Sequence, residues 1–322
     1  MRLRRYHGLG NDYLVLETAE AVDERLVVAL CDRHRGVGSD GLLQPLPLRR
    51  DAETGRPVSH YAVRIWNPDG SRAEKSGNGL RILARWLRDH RAAPPTFTVE
   101  VRLDESPGER VQCTVAPPAG TGDVTVSMGP ARFQPGQVPC TRPLRASAVE
   151  VLGARLELTA VGTGNPHCVC FVDALLPAGP GADDVERGAA LDAALDTLPW
   201  RAWGAALEVH PLFPRRTNVQ FACLLPPQAG DPPERSRIAA RIWERGAGET
   251  QASGSSACAV AAAAVSLGRA GRSVMVQMPG GTLSVEVGDE DLVLRGPVEE
   301  VGTIEPAPGW LAARQAASPA TR

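Results

Sequence analysis

Short apolar runs that alternate or are rich in β-branched residues recur along the chain. They fall at 13–16, 62–66, 97–101, 111–115, 124–128, 156–161, 168–172, 218–224, 273–277, 283–287 and 292–294, and most are bounded by Gly, Pro or Asp. Patterning of that kind between turn formers predicts strands. Helical spacing is rarer and predicts helices over 24–33, 80–90, 186–195 and 258–267. Strands outnumber helices and often follow one another directly. That order favours an α+β fold with mixed or antiparallel sheets over a doubly wound parallel sheet.

The pattern also repeats once. In the first half a small-residue loop, 73–79 (AEKSGNG), opens the helix LRILARWL. In the second, 251–256 (QASGSS) opens ACAVAAAAV. Helices apolar nearly all round belong in a core. The stretch 131–150, with three prolines and a glycine, is the natural break. It sets an N-terminal half at 1–130 and a C-terminal half at 131–297.

Each loop exposes backbone N–H groups at a helix start, where they lack partners and carry partial positive charge. Two such starts turned on one ligand would hold an anion, most simply a substrate carboxylate. The plainer alternative is that Ser76 and Ser253 only cap their helices.

Composition narrows the classes of function. The chain has 322 residues, 43% hydrophobic and 22% charged, with a formal net charge of −2. Nothing in that balance calls for nucleic acid or an anionic membrane as partner. Lys75 is the only lysine. Seven cysteines show no CxxC spacing, which suits reduced thiols in a cytoplasmic protein. The start, MRLRRYHGLGNDY, has no signal-type apolar run, and no stretch approaches a membrane span. The six histidines form no metal-ligand spacing, and no phosphate-binding GxxxxGK[ST] loop occurs. Neither metal nor cofactor is expected.

Several motifs in order along the chain resemble the diaminopimelate epimerase family. The stretch 7–13 (HGLGNDY) is similar to the family's GxGNDF, and 31–41 (CDRHRGVGSDG) to CDRxxGIGxDG. Residues 67–81 (NPDGSRAEKSGNGLR) follow NxDGSxAExCGNGxR, with Ser76 at the cysteine position. GNPH at 164–167 and TNV at 217–219 come next. ERGAGETQASGSS at 244–256 then follows ERGxGETxxCGTG, with Ser253 for the second cysteine. Gly280-Gly281 and Gly296-Pro297 complete the series.

The resemblance implies two similar α/β halves, each a mixed sheet around a central apolar helix, with the active site in the cleft between them. It also implies a last strand that returns residues 298–322 to the first half. By the same route it implies an isomerase that inverts the α-carbon of LL-diaminopimelate or a related amino acid without pyridoxal phosphate, and a homodimer. Asn67, Asn165, Asn218 and Arg245 match positions that engage the distal amino-acid group; Asn11, His167 and Glu244 match other site positions. Gly77, Asn78, Gly254 and Ser255 belong to the carboxylate-holding helix starts. An arginine fork and amides suit a carboxylate and an ammonium group, although any single asparagine could simply cap a turn.

The two serines bear on the chemistry. The family removes and returns an α-proton with a thiolate and a thiol, whose ordinary pKa of about 8.5 lies near neutrality. A hydroxyl relays protons but is a poor base without an activating neighbour. Cys258 lies about 140° round the helix from Ser253 and should face the core. Three accounts fit: a natural epimerase with another proton relay, divergence to a different proton-shift isomerisation, or an engineered double substitution. A catalytically impaired amino-acid-binding protein is the non-enzymatic alternative.

Overall fold

The computed structural model describes residues 1–17, 22–57, 59–104, 106, 108–117, 121–177 and 183–315. The chain divides into two compact units, residues 1–126 with 297–322, and residues 127–296. The last part of the segment expected to return to the first half, 316–322, lies outside the described residues.

The first unit is built from β1 (Leu3–Gly8), β2 (Asn11–Leu16), α1 (Glu24–Cys31), β3 (Leu42–Leu46) and β4 (Tyr61–Trp66). They are followed by α2 (Gly77–His90), β5 (Thr96–Val101), β6 (Glu109–Val115) and β7 (Thr121–Ser127). The second carries β8 (Ser147–Val151), β9 (Ala154–Gly162), β10 (Pro166–Phe171), α3 (Asp184–Leu195) and α4 (Trp200–Glu208). After these come β11 (Asn218–Leu225), β12 (Arg235–Glu244), β13 (Gly248–Thr250), α5 (Gly254–Ser266), β14 (Ser273–Met278) and β15 (Gly281–Val287). The long β16 (Leu292–Ile304) ends in the first unit and is followed there by α6 (Pro308–Gln315).

The architecture is α+β, and the repeat seen in the sequence is structural. In the first unit β2/β3 and β4/β5 are the parallel pairs; in the second they are β10/β11 and β12/β14. A parallel pair needs a crossover rather than a hairpin. In each unit one crossover is the central helix, α2 between β4 and β5 and α5 between β12 and β14. The strands of the first unit run in the order β1-β2-β3-β4-β5-β6-β7-β16, and β16 pairs back with β1 to close the ring. Those of the second run β16-β15-β14-β12-β11-β10-β9-β8.

Both central helices are buried on every side, but by different means. In α5, Ala257, Cys258, Ala259 and Val260 through Ala264 are all at most 2% exposed, so small side chains fit a helix against five strands. In α2 the burial extends to Arg81 and Arg85. Arg85 answers this by donating from Nη2 to the Ala116 carbonyl at 2.7 Å. The outer faces are covered by α1 and α6 in the first unit and by α3 and α4 in the second.

Several sequence expectations are corrected. The helices begin at Gly77 and Gly254, not 80 and 258, because the glycine-rich loops form the first helical turns. β16 does not stop at 294. Gly296 and Pro297 fall where it changes partner, between Arg295 opposite Ser284 on β15 and Glu299 opposite His7 on β1, so proline's missing N–H breaks neither of these ladders. The pattern also missed β1, β3, β8, β12, β13, α4 and α6. β3 contains Pro45, β12 interrupts its apolar residues with arginines, and α4 is a short helix starting after Pro199 with a glycine inside. Among the described residues no helix is long and apolar enough to cross a membrane.

Ala261→Leu should overpack the interior around α5 and cost about 1–3 kcal/mol. Chemical denaturation should show a lower midpoint with an unchanged slope.

Candidate functional site

Each unit presents one helix start built in the same way. Ser76 is the N-cap of α2, with extended backbone (φ −137°, ψ 112°), and its Oγ accepts from the Gly79 N–H at 3.0 Å. Ser253 is the N-cap of α5 (φ −146°, ψ 124°), and its Oγ accepts from the Ser256 N–H at 3.4 Å. The N–H groups of Gly77 and Asn78, and of Gly254 and Ser255, occupy the first two helical positions and have no carbonyl four residues back within the helix. The capping alternative is thus realised, and it is compatible with anion binding.

In the first unit a polar chain fixes this helix start. Asn78 Nδ2 donates to the Asn11 carbonyl at 2.8 Å and to Asn11 Oδ1 at 2.6 Å, while Asn78 Oδ1 accepts from Arg81 at 3.0 Å. Asn11 in turn donates to Asp40 at 2.9 Å, and Arg33 bridges Asp40 (2.6 Å) and Asp12 (2.8 Å). Burial, joined by the nearby Asp12 charge, raises the Asp40 pKa despite the bonds it accepts.

Gly8 is required by this contact, since a Cβ there would lie 2.1 Å from Asn78 Oδ1. The turn that delivers Asn11 is strained. Leu9 holds φ at +56°, which for a non-glycine residue costs about 1–2 kcal/mol. Asn67 stands apart from the chain, its Nδ2 bonded to Ser71 Oγ at 2.9 Å within its own turn.

In the second unit, His167 is fully buried and sits in a chain from Asn165 to Ser256. Gln220 Nε2 donates to His167 Nδ1 and to Ser256 Oγ, each at 3.0 Å, so the ring proton resides on Nε2 and goes to Asn165 Oδ1 at 2.8 Å. Burial, helped by the Arg245 charge, pushes the His167 pKa down to about 3. It is a neutral imidazole at working pH.

Asn218 uses its amide on backbone, donating to the Pro166 carbonyl at 3.0 Å and accepting from the Arg245 N–H at 2.9 Å. Glu208, buried on α4, accepts from the Gly246 N–H and from Trp243 Nε1, each at 2.8 Å, and pairs with Arg216. These two side chains pin the turn that follows Glu244. Arg245 emerges from it exposed, with Nη1 3.2 Å from the Arg215 carbonyl.

Of the expected residues, Ser76, Gly77, Asn78 and Asn11 meet in the first unit, and Asn165, His167, Asn218 and Arg245 are linked in the second. Tyr13, Gln220, Ser256 and Glu208 join these groups without having been singled out from sequence. Tyr13 and Ser256 were visible as hydroxyls inside quoted motifs. Gln220 and Glu208 carried no local signal.

All seven cysteines are buried. Burial raises the pKa of Cys31, Cys140 and Cys168, and lifts Cys113, Cys170 and Cys223 to about 12. Cys258 is buried as expected. The Lys75 side chain, 4% exposed, turns to β6 and places Nζ 2.6 Å from Glu109. Among the described residues no group of His, Cys, Asp or Glu is arranged to hold a metal ion.

The fold is shared with solved structures. A probable proline racemase from Agrobacterium radiobacter K84 superposes with a TM-score of 0.64 at 16% identity, covering 95% of this chain and 93% of its own. The family profile of diaminopimelate epimerase matches residues 4–134 and 159–301. Diaminopimelate epimerase of Pelotomaculum thermopropionicum is 35% identical over 310 residues, 94% of this chain and 97% of that protein. The Desulforudis audaxviator enzyme of the same name is 36% identical over the same length and shares. The chain belongs to the diaminopimelate epimerase family.

The neutral histidine gives a pH test. Its folded pKa of about 3 lies below the ordinary value near 6.5, so the unfolded chain takes up a proton that the folded one refuses. Stability from this group is therefore complete above pH 6.5 and declines between 6.5 and 3, by about 1.4 kcal/mol per pH unit. Urea titrations at pH 7 and pH 5 should show a smaller difference for His167→Gln than for the parent protein.

Proposed function

We propose that this chain is a cofactor-independent epimerase that inverts the α-carbon of LL-diaminopimelate or a closely related amino acid. The observation that carries the reading is the pair of serine-capped helix starts. In each unit two N–H groups at the positive end of a buried helix are available to a carboxylate. Negative charge building on that carboxylate as the α-proton leaves is what such dipoles stabilise. Ser76 and Ser253 hold the acid and base positions of the matched motifs, and Arg245, held by Asn218 and by the Glu208-bound turn, is the candidate for the distal carboxylate. Seven buried cysteines, none of them in a disulfide, suit work in a reducing cytoplasm, and a homodimer is the assembly expected of the family.

One observation favours a second reading. Both serine hydroxyls already accept a helix N–H, so the protein could bind its amino acid without turning it over. α-Proton exchange in D₂O, followed by NMR with LL-diaminopimelate and several other amino acids, decides between the two. Exchange supports the enzyme, and binding without exchange supports the binding protein.

Arg245→Ala should weaken diaminopimelate binding by about 1.5–3 kcal/mol, through loss of a charged hydrogen-bond donor, without altering affinity for amino acids lacking a second head. Calorimetry with both kinds of ligand checks it, and an unchanged affinity for diaminopimelate would remove Arg245 from the pocket. Ser76→Cys together with Ser253→Cys should raise exchange near neutral pH by orders of magnitude, since groups that titrate near working pH replace hydroxyls that do not. Each single cysteine should help less than the pair.

A further inference from the structure

A buried phenol sits against one of the two serines. Tyr13, on β2 and 6% exposed, places Oη 3.1 Å from Ser76 Oγ, and either atom can be the donor. The ring is fixed by a close approach. A Cβ on Gly41 would fall 2.5 Å from Tyr13 Cε1 and 2.6 Å from the Trp66 carbonyl, so the phenol packs on bare backbone. In the motif that 7–13 resembles, the corresponding residue is phenylalanine. The chain therefore carries a hydroxyl in place of a hydrogen at the spot beside its substituted serine.

We propose that Tyr13 is a positioning residue that makes Ser76 a working acid, with the phenol supplying the proton that the serine delivers. The inference rests on the epimerase reading above. A serine hydroxyl has one hydrogen and two lone pairs. The Gly79 N–H occupies one lone pair at 3.0 Å. When the phenol donates into the other, the serine hydrogen is left for a third group.

In the protonation step the Ser76 Oγ–H bond breaks as a Cα–H bond forms on the carbanion. The Tyr13 Oη–H bond breaks as the serine O–H re-forms. One proton has moved from the phenol to the α-carbon, and the negative charge ends on a phenolate. A phenol ionises near pH 10, so this charge is far easier to hold than on an alkoxide. In the reverse step the phenolate takes the serine proton while Ser76 takes the α-proton. Deprotonation through Ser76 therefore requires ionised Tyr13, and its rate rises with pH toward the phenol pKa.

The test is the pH profile of α-proton exchange in D₂O for each stereoisomer of diaminopimelate. Three proteins are compared: the parent, Tyr13→Phe, and a form with 3,5-difluorotyrosine at position 13, whose phenol ionises at lower pH. For the isomer deprotonated through Ser76 the parent should show a limb that rises into the alkaline range. Tyr13→Phe should lose about 100-fold in rate and lose that limb, with affinity held within about twofold, the size expected of one acid–base partner. The difluorotyrosine protein should keep the limb and move it to lower pH, a shift that a packing role would not produce. A limb that stays in place on fluorination, or a rate that survives Tyr13→Phe, overturns the relay and leaves the epimerase reading intact. An absence of exchange by the parent with every amino acid tried overturns both.

Discussion

A helix packed inside a sheet leaves at its N-terminus N–H groups that its own ladder does not pair. That constraint shapes both units. α2 and α5 each run between parallel strands, and each begins on a serine whose hydroxyl satisfies one orphan N–H. The preceding chain is extended, and the first helical residues are glycine, serine or asparagine. These leave the other N–H groups uncovered by bulk. What stabilises the end of a core helix also leaves unpaired N–H groups at its positive end, between small side chains.

The surroundings keep charge away from where it would compete. His167 is held neutral by burial, and burial raises the pKa of six of the seven cysteines. The acids near the first helix start are engaged, Asp12 and Asp40 with Arg33 and Asp12 also with Arg5 at 2.5 Å. The groups around the two helix starts are backbone dipoles, hydroxyls and amides, with the exposed Arg245 in the second unit. The two serines differ in their hydrogen-bonding surroundings. Ser76 has a phenol within hydrogen-bonding distance, whereas Ser253 lies one helical turn from the hydroxyl of Ser256, which continues to Gln220 and His167.

Arg245 illustrates how position is secured without burying the charge. The guanidinium is exposed, but the N–H groups of Arg245 and Gly246 are taken by Asn218 and Glu208, which are themselves buried. The backbone is fixed while the guanidinium stays exposed, touching only the Arg215 carbonyl among the contacts described.

The chain order of apolar runs, the two small-residue loops and the motifs between them were legible in the sequence by itself, and they determine the α+β class, the internal repeat and the family. Local physics explains why: strand periodicity and N-cap chemistry need only near neighbours. The tertiary structure decided what depends on residues far apart in the chain. Strands such as β1 and β12 carry arginines that spoil the alternation, and partners in the sheet override it. Gly296 and Pro297 read as a stop, yet the strand continues, because they fall where it changes partner. Asn67 and Asn218, alike as motif asparagines, differ in that one holds only its own turn and the other ties two segments. The contact between Tyr13 and Ser76 spans 63 positions, and no local pattern encodes a hydrogen bond closed only when β2 is laid along α2.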